Sequence, residues 1–196
     1  MKISFFDFDG TITKDDSMFR FIRFAVGDFK FVIGLFFLSP VLILFKLKII
    51  PNYQAKSRMI SHFFKGYNIK TFEKLASEFS LNHIDKILKP SAIEKIQWHK
   101  NEGHKVVVVS ASIDLWLRPW CEKNNLELIA TQIEVLNGLV TGKFRSKNCY
   151  GIEKVNRINS IYNLDNYEYI YAYGDSKGDM EMLNLAHSKN YKVFEK

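Results

Sequence analysis

The chain has 196 residues, of which 47% are hydrophobic and 25% are charged. These fractions are typical of a folded globular protein and exclude a disordered one, and the length accommodates one catalytic domain with a modest insertion. The formal net charge of +7 favours anionic partners such as phosphorylated substrates or acidic lipid surfaces. Because the lysines form no basic stripe interleaved with aromatic residues, we expect no nucleic-acid partner.

Residues 3–8 form a short, mainly apolar run that leads into acidic residues, and Gly10 ends it. They therefore predict a first strand. The strand runs into the motif Asp7-Phe8-Asp9-Gly10-Thr11. Asp9 is expected to point to the same side as Asp7 if the strand continues, with Phe8 directed into the core. We expect no cleaved leader before this motif, because its removal would take the acids with it.

Residues 15–90 contain no convincing buried strand and have a helical pattern. A stretch of this length between two adjacent strands is too long for a loop, so it predicts a helical cap inserted after the first strand. Asp16 and Ser17 at its entry are interpreted as an N-cap.

Residues 31–45 within this insertion are apolar throughout, with Lys30 before them and Lys46 and Lys48 after them. They fall short of the roughly twenty residues that cross a bilayer as a helix, and Pro40 is expected to break or kink a helix here. Three interpretations remain open: a buried helix pair of the cap, a peripheral membrane contact lying in the membrane plane, and a contact between copies in a homo-oligomer. The expected location is cytoplasmic, with association with the inner face of the membrane as the alternative.

Helical patterns and strands alternate in the remaining chain. Residues 106–109 are all valine, as expected for a strand covered on both faces, and residues 169–173 and 191–194 predict a further strand and an edge strand. Predicted helices cover residues 91–101, 114–124, 151–162 and 179–186. This alternation indicates an α/β fold with a parallel sheet. Asn137-Gly138 within residues 134–142 predicts an antiparallel hairpin.

A second acidic motif, Gly174-Asp175-Ser176-Lys177-Gly178-Asp179, follows the strand at 169–173. In open α/β sheets the carboxyl ends of the strands form the edge where ligands bind. Acids gathered there from both motifs would repel one another without a cation. All-oxygen ligands suit Mg²⁺, which usually binds beside a substrate phosphate. Cys121 and Cys149 have no metal-ligand spacing and are interpreted as reduced structural thiols.

The set of motifs resembles the haloacid dehalogenase-like hydrolase superfamily. It consists of the first acidic motif after a strand, Ser110 at the end of a second strand, Lys154, and the second acidic motif. The closest likeness is to the branch typified by phosphoserine phosphatase, which has a helical cap between the first two motifs. The resemblance implies a Rossmann-like parallel sheet between helices, formed by residues 1–14 and 91–196, and an all-helical cap formed by residues 15–90.

The resemblance also implies the chemistry, which is hydrolysis of a phosphate monoester through an aspartyl-phosphate. Asp7 would be the nucleophile and a Mg²⁺ ligand, and Asp9 the general acid and base, its backbone carbonyl also binding the metal. Asp175 would be a direct metal ligand, and Asp179 would hold metal-bound water or orient Lys154.

The phosphate itself would be held by a second group of residues. Lys154 and the Ser110 hydroxyl would contact phosphoryl oxygens, as would the amide of Ala111, which is expected just before a helix. Gly10 would let the backbone turn beneath the phosphate. Ser112 and Asp114 are interpreted as helix-start residues.

Two substrate classes remain open, a small phosphorylated metabolite and a lipid phosphate. The apolar segment departs from soluble phosphoserine phosphatases and is more similar to the lipid-phosphate members of the branch, such as phosphatidylglycerophosphatase. Arg58 is not clearly in register with the cap arginine that grips a substrate carboxylate. A phosphotransferase would use the same residues, and a non-catalytic phosphate-binding module is the alternative from another functional class.

Overall fold

The computed structural model of the protein describes residues 1–194. Its strands, in chain order, are β1 (Lys2–Phe6), β2 (Lys105–Ile113), β3 (Glu127–Thr131), β4 (Ile133–Leu136), β5 (Leu139–Phe144), β6 (Tyr169–Gly174) and β7 (Ser188–Tyr191). Five of them form a parallel sheet in the order β3-β2-β1-β6-β7, and β4 and β5 form an antiparallel hairpin. The α/β fold class and the hairpin predicted from the sequence are therefore confirmed.

The helices are α1 (Ser17–Val26), α2 (Asp28–Lys46), α3 (Asn52–Phe64), α4 (Ile69–Asn82), α5 (Pro90–Asn101), α6 (Asp114–Lys123), α7 (Ile152–Ile161) and α8 (Met180–Asn184). Side chains of β1 alternate between two apolar clusters, Ile3 and Phe5 on one face and Phe6 on the other. The sheet is thus buried on both faces, as its uninterrupted apolar strands require. Cys121 and Cys149 are buried free thiols.

One predicted strand lies at other residues, and one strand of the sheet was not predicted. The edge strand is β7, Ser188–Tyr191, and it lies three residues before the predicted 191–194 because its ladder with β6 ends where Lys192 N–H donates to the Gly174 carbonyl. Strand β3 was not predicted, since it is short and begins on an exposed Glu127.

The hairpin is attached to the inserted helices through backbone hydrogen bonds. Gly66 N–H donates to the Val140 carbonyl, and Val140 N–H donates to the Tyr67 carbonyl, both at 2.9 Å. Gly142 lies so close to α3 that an added Cβ would be 2.4 Å from the Ser61 Cα. Residues 15–90 are mainly helical and contain no named strand, as predicted; Asn68 and Leu88 form isolated β-bridges, with Leu139 and Thr13.

Helix α2 differs from the expected break at Pro40 and from one of the three interpretations of its apolar segment. It runs unbroken through Pro40, because the Ser39 hydroxyl donates to the Phe36 carbonyl at 2.7 Å and replaces the hydrogen bond that proline cannot donate. It is also not buried: only Gly34 and Leu38 are fully covered, while Phe29, Phe36 and Phe37 are 79%, 75% and 66% exposed. The buried-pair interpretation is therefore wrong.

Candidate active site

The first acidic motif lies at the end of the central strand. The strand itself stops at Phe6, and Asp7 N–H still donates to the Tyr173 carbonyl of β6 at 2.9 Å. Phe8 is buried, as predicted. Its ring packs edge-on against Trp120, with 5.5 Å between the ring centroids. Residues from Phe8 onward form a tight irregular turn, with φ of +86° at Gly10, so the expected continuation of the strand through Asp9 is wrong.

The second acidic motif folds back on itself. Asp179 Oδ2 accepts hydrogen bonds from the backbone amides of Asp175 and Ser176, at 3.2 and 2.9 Å, and from the Ser176 hydroxyl at 2.7 Å. A Cβ added at Gly174 would lie 2.5 Å from the Asp179 Cβ. Glycine is therefore required for Asp179 to approach the end of β6 this closely. The loop therefore presents Asp175 and Asp179 at the edge where β1 also ends.

Three carboxylates meet at this edge. Asp7, Asp175 and Asp179 each place an oxygen within 4.8 Å of the others. The Thr11 hydroxyl lies 3.2 Å from Asp7 Oδ2 and 3.1 Å from Asp175 Oδ1, and a Cβ added at Gly10 would lie 2.4 Å from an Asp175 oxygen. Hard oxygen donors fit Mg²⁺, which binds proteins through one or two carboxylates and keeps several waters, so two of the three carboxylates suffice as direct ligands.

Lys154 is the cation of this cluster. It is 1% exposed, and its Nζ donates to Asp7 Oδ1 at 2.6 Å, to Asp179 Oδ1 at 2.7 Å and to the Val109 carbonyl at 2.7 Å. All three of its donors are therefore used. Burial lowers the pKa of Lys154, but the two carboxylates outweigh burial and the net shift is upward, so the ammonium stays charged.

The three acids differ in their titration. Burial raises the pKa of Asp7 to about 7, against the opposing charge of Lys154. Burial, and then the charge of Asp179, also raises the pKa of Asp175. For Asp179 burial acts in the same direction, but the charge and hydrogen bond of Lys154 dominate and its pKa is lowered. A bound divalent cation would favour the ionised form of all three groups.

Asp9 does not join the carboxylate cluster. Its Oδ1 accepts from the Ser17 amide at 2.7 Å and its Oδ2 accepts from the Ser112 hydroxyl at 2.5 Å. The turn after Asp7 thus directs the Asp9 side chain toward the start of α1. Asp16 is the N-cap of α1, as predicted, and burial followed by the charge of Asp9 raises its pKa to about 6.

Ser110 and Ala111 lie within β2, which continues to Ile113 through a shift in its register with β3. Helix α6 begins at Asp114, which confirms Asp114 as a helix-start residue, whereas Ala111, expected just before the helix, and Ser112, expected at its start, lie within the strand. The Ser110 hydroxyl accepts from the Ser112 amide at 3.0 Å. Ser110 and Ala111 follow Val109, whose carbonyl accepts a hydrogen bond from Lys154. The end of β2 therefore lies next to the carboxylate cluster.

Several polar residues near the site had no role in the sequence analysis. Thr11 bridges Asp7 and Asp175, and the buried Lys89 donates from Nζ to the Gly10 carbonyl. Lys56 of α3 lies 3.4 Å from the Ala111 carbonyl. Of these residues, only Thr11 could have been identified from the sequence, because it belongs to the first acidic motif. The two lysines are far from both acidic motifs in the sequence and belong to no recognisable pattern.

A cavity of about 1000 Å³ lies between α3 and the start of α7. Its wall carries the cations Arg58, Lys143, Arg145 and Lys147. It includes Asn148, which also pairs with Thr131 at 3.2 Å. None of the carboxylates of the cluster lines this cavity, although Glu153, the residue before Lys154 in the chain, does.

Comparisons with known proteins agree with this geometry. The chain is 31% identical over 191 residues to Protein CicA of Caulobacter vibrioides strain NA1000 / CB15N, covering 96% of this chain and 85% of that protein. A protein of unknown function from Bordetella pertussis Tohama I superposes with a TM-score of 0.83 at 20% identity, covering 97% and 88% of the two chains. A phosphoserine phosphatase, solved as a phospho-aspartyl intermediate analogue, superposes with a TM-score of 0.67 at 22% identity, covering 94% and 83%.

The sequence pattern of the haloacid dehalogenase-like hydrolases matches residues 4–184, from β1 to the end of α8. The match includes both acidic motifs and Lys154, and with them the four residues whose side chains meet at the sheet edge, Asp7, Lys154, Asp175 and Asp179. It confirms the predicted family and shows that the chain is an enzyme of the hydrolase class. The chain belongs to the haloacid dehalogenase-like hydrolase family.

Proposed function

We propose that the protein is a magnesium-dependent phosphatase that hydrolyses a phosphate monoester through an aspartyl-phosphate formed on Asp7. The observation that carries this proposal is the buried ammonium of Lys154 held between Asp7 and Asp179, beside Asp175, at the carboxyl edge of the sheet. The family match and the likeness in fold to phosphoserine phosphatases support the same chemistry.

Asp7 and Asp175, with the Asp9 carbonyl, would hold the metal ion, and Asp179 would orient Lys154 and metal-bound water. When bound, Mg²⁺ supplies positive charge to the phosphoryl oxygens and reduces their repulsion of the attacking carboxylate. Lys154 adds a fixed positive charge beside Asp7 that requires no reorganisation during the reaction. The Ser110 hydroxyl and the Ala111 amide would contact the remaining phosphoryl oxygens.

The reaction has two displacements at phosphorus. In the first, an Asp7 carboxylate oxygen bonds to phosphorus while the bond to the ester oxygen breaks, and Asp9 gives that oxygen a proton, releasing the alcohol. In the second, Asp9 takes a proton from a water that attacks phosphorus. The acyl-phosphate bond then breaks, inorganic phosphate leaves and the Asp7 carboxylate is restored. For this role Asp9 exchanges its hydrogen bonds to Ser17 and Ser112 for the substrate.

Residues 15–90 would form a cap that covers the leaving group, with residues 1–14 and 91–196 as the catalytic core. The cationic side chains of the cavity between α3 and α7 would suit a leaving group with a further negative charge. Two leaving-group classes follow from this position, a small phosphorylated metabolite and the headgroup of a lipid phosphate. The exposed apolar surface of α2 favours the lipid class as the second candidate.

A screen of phosphate esters tests the proposal. Soluble esters and phospholipid monoesters in mixed micelles are each assayed for released phosphate with Mg²⁺ and with a chelator. We expect magnesium-dependent release from at least one class, and none from either class with chelator. Release that is unaffected by the chelator, or retained in Asp7→Asn, would contradict the mechanism. Addition of an excess of a simple alcohol distinguishes hydrolysis from phosphotransfer, because a transferase would form the alcohol's phosphate ester.

A further inference from the structure

Helix α2 has two apolar faces, and only one of them is covered by the protein. The inner face packs on α1 and α3. The ring centroid of Phe31 lies 6.3 Å from that of Phe19 and 6.2 Å from that of Phe63. A Cβ added at Gly34 would lie 2.2 Å from the Phe63 ring. The outer face has the residues Phe29, Val32, Ile33, Phe36, Phe37, Pro40 and Ile43, all of them exposed. Their spacing of three and four residues puts them on one side of the helix.

We propose that this outer face, residues 29–43 of α2, docks in the plane of an anionic lipid bilayer. Monomeric soluble proteins rarely expose a continuous apolar surface of this extent, and larger ones mark interaction sites. The α2 face continues into the exposed Leu47 and Ile49, which lengthens the apolar surface beyond the helix. This inference concerns binding and does not depend on the proposed catalytic activity.

Charge identifies the partner as lipid and not a second copy of the chain. At 3.6 residues per turn, Lys30 and Lys46 lie on opposite flanks of the outer face, and Lys48 follows; all three are exposed. In a symmetric dimer through this face the same lysines would confront one another around the contact. At an anionic membrane they can extend toward the headgroups while the aromatic and aliphatic side chains enter the boundary of the acyl chains.

Packing indicates that α2 lies along the membrane and does not cross it. With 19 residues the helix is about 28 Å long, close to the thickness of a bilayer core. The helices that precede and follow α2 in the chain, however, pack on the same aromatic cluster. The ring centroid of Phe21 in α1 lies 5.4 Å from that of Phe64 in α3 and 4.8 Å from that of Trp116 in α6. A spanning α2 would separate α1 from α3 and break this cluster.

The backbone of α2 is compatible with an apolar environment. A carbonyl without a hydrogen bond costs several kcal/mol in hydrocarbon, and Pro40 leaves the Phe36 carbonyl without its helical donor. The Ser39 hydroxyl supplies that donor at 2.7 Å. The outer face therefore presents neither an ionisable side chain nor an open carbonyl at Pro40.

Vesicle flotation tests the proposal with the full chain. The probes are phosphatidylcholine vesicles with and without phosphatidylglycerol, and the readout is the fraction of protein that floats. We expect flotation with the anionic vesicles, weakened by high salt. Phe36→Gln with Phe37→Gln should reduce the partition coefficient by about tenfold or more, since both rings leave water on docking. Lys30→Glu with Lys46→Glu should abolish the preference for anionic vesicles.

Matched controls separate docking from general hydrophobicity, folding and catalysis. Leu136→Gln with Ile161→Gln removes two side chains that are 59% and 58% exposed elsewhere, and it should float like wild type. Asp7→Asn, inactive under the proposed mechanism, should also float like wild type. Single fluorophores at Val32→Cys and Ile43→Cys should report equal depths in the bilayer if α2 lies in plane.

Three results would overturn the proposal. The first is absence of wild-type protein from the floating fraction with anionic vesicles. The second is equal flotation of the Phe36/Phe37 variant, confirmed as folded by circular dichroism. The third is a stable dimer in light scattering that the Phe36/Phe37 variant converts to monomer, with no vesicle binding, because the face would then join two copies of the chain. Unequal depths at residues 32 and 43 would overturn the in-plane orientation.

Discussion

Lys154 Nζ lies 2.6 Å from Asp7 Oδ1, although the two residues are 147 positions apart in the chain. The contact joins the residue that follows the central strand β1 to the third residue of α7, and the two side chains are only 10% and 1% exposed. Such a pair is costly to break, because the remaining partner keeps its charge without a counter-ion.

Replacing Asp7 by Asn should abolish turnover and leave the fold intact. The carboxylate is the proposed nucleophile, and loss of a nucleophile lowers kcat by a factor on the order of 10⁴ or more. Circular dichroism and phosphate release measure the two effects. Asp165→Asn, which changes an exposed aspartate in the same way, should retain full activity. Substantial turnover by Asp7→Asn would exclude the aspartyl-phosphate.

Replacing Lys154 by Met should destabilise the protein as well as inactivate it. The change leaves Asp7 and Asp179 buried without their cation, a loss of about 3–5 kcal/mol in the free energy of unfolding. Urea denaturation in the presence of chelator measures this quantity. Adding Asp179→Asn to the Met variant should recover part of the stability, because one of the two unpaired charges is removed. A Met variant as stable as wild type would show that the pair is not formed in solution.

Magnesium should raise the melting temperature, and the rise should grow with the logarithm of the Mg²⁺ concentration above its Kd. A ligand that binds only the folded state adds about 2.7 kcal/mol at a hundred times its Kd. Differential scanning fluorimetry across a Mg²⁺ titration should show this rise in wild type and little of it in Asp175→Asn. Glu73→Gln, on the exposed side of α4, is the matched control. An equal shift in Asp175→Asn would place the metal elsewhere.

Stability should fall as His99 becomes protonated. The ring is fully buried, with Nε2 at 2.9 Å from the Tyr173 hydroxyl and Nδ1 at 2.8 Å from His104 Nδ1. Burial lowers its pKa from 6.5 to about 3. The unfolded chain therefore binds the extra proton first, and the contribution of neutral His99 is present above pH 6.5 and lost as the pH falls toward 3.

The difference between wild type and His99→Phe isolates this titration, since the carboxyl groups of the site are common to both proteins. Urea denaturation should show the stability of wild type relative to the variant falling by about 2 kcal/mol between pH 6.5 and pH 5. His62→Gln, an exposed histidine, should show no such change. A difference that is constant with pH would mean that His99 titrates normally.

Gly34 should resist enlargement despite its position in a helix. Alanine normally stabilises a helix relative to glycine by about 1 kcal/mol. At this position the new methyl group would meet the Phe63 ring, so we expect Gly34→Ala to cost about 1–3 kcal/mol. Phe63→Leu should relieve part of that cost in the double variant, and urea denaturation of the four proteins measures the coupling. Independent effects of the two substitutions would show that the helices do not touch here.

Sequence patterns were sufficient for the parts of the fold that depend on local chemistry. The uninterrupted apolar runs of β1, β2 and β6 predict strands buried on both faces, and Asn137-Gly138 predicts the hairpin turn. The two acidic motifs were expected at one edge because parallel strands align their carboxyl ends, and the structure places Asp7 beside Asp175 there. The catalytic roles of these residues remain predictions that the variants above will test.

Other features depend on distances that no local pattern contains. The turn after Asp7 sends Asp9 to Ser17 and Ser112, while the loop at Gly174 returns Asp179 to Lys154. Between Lys30 and Lys46 helix α2 has no charged residue on any side, so its sequence could not distinguish a buried helix from an exposed one. Only the packing of α1 and α3 against one face leaves the other face open. Sequence determines which side chains are available, whereas the folded chain decides which of them meet and which remain exposed, because these contacts join segments far apart in the chain.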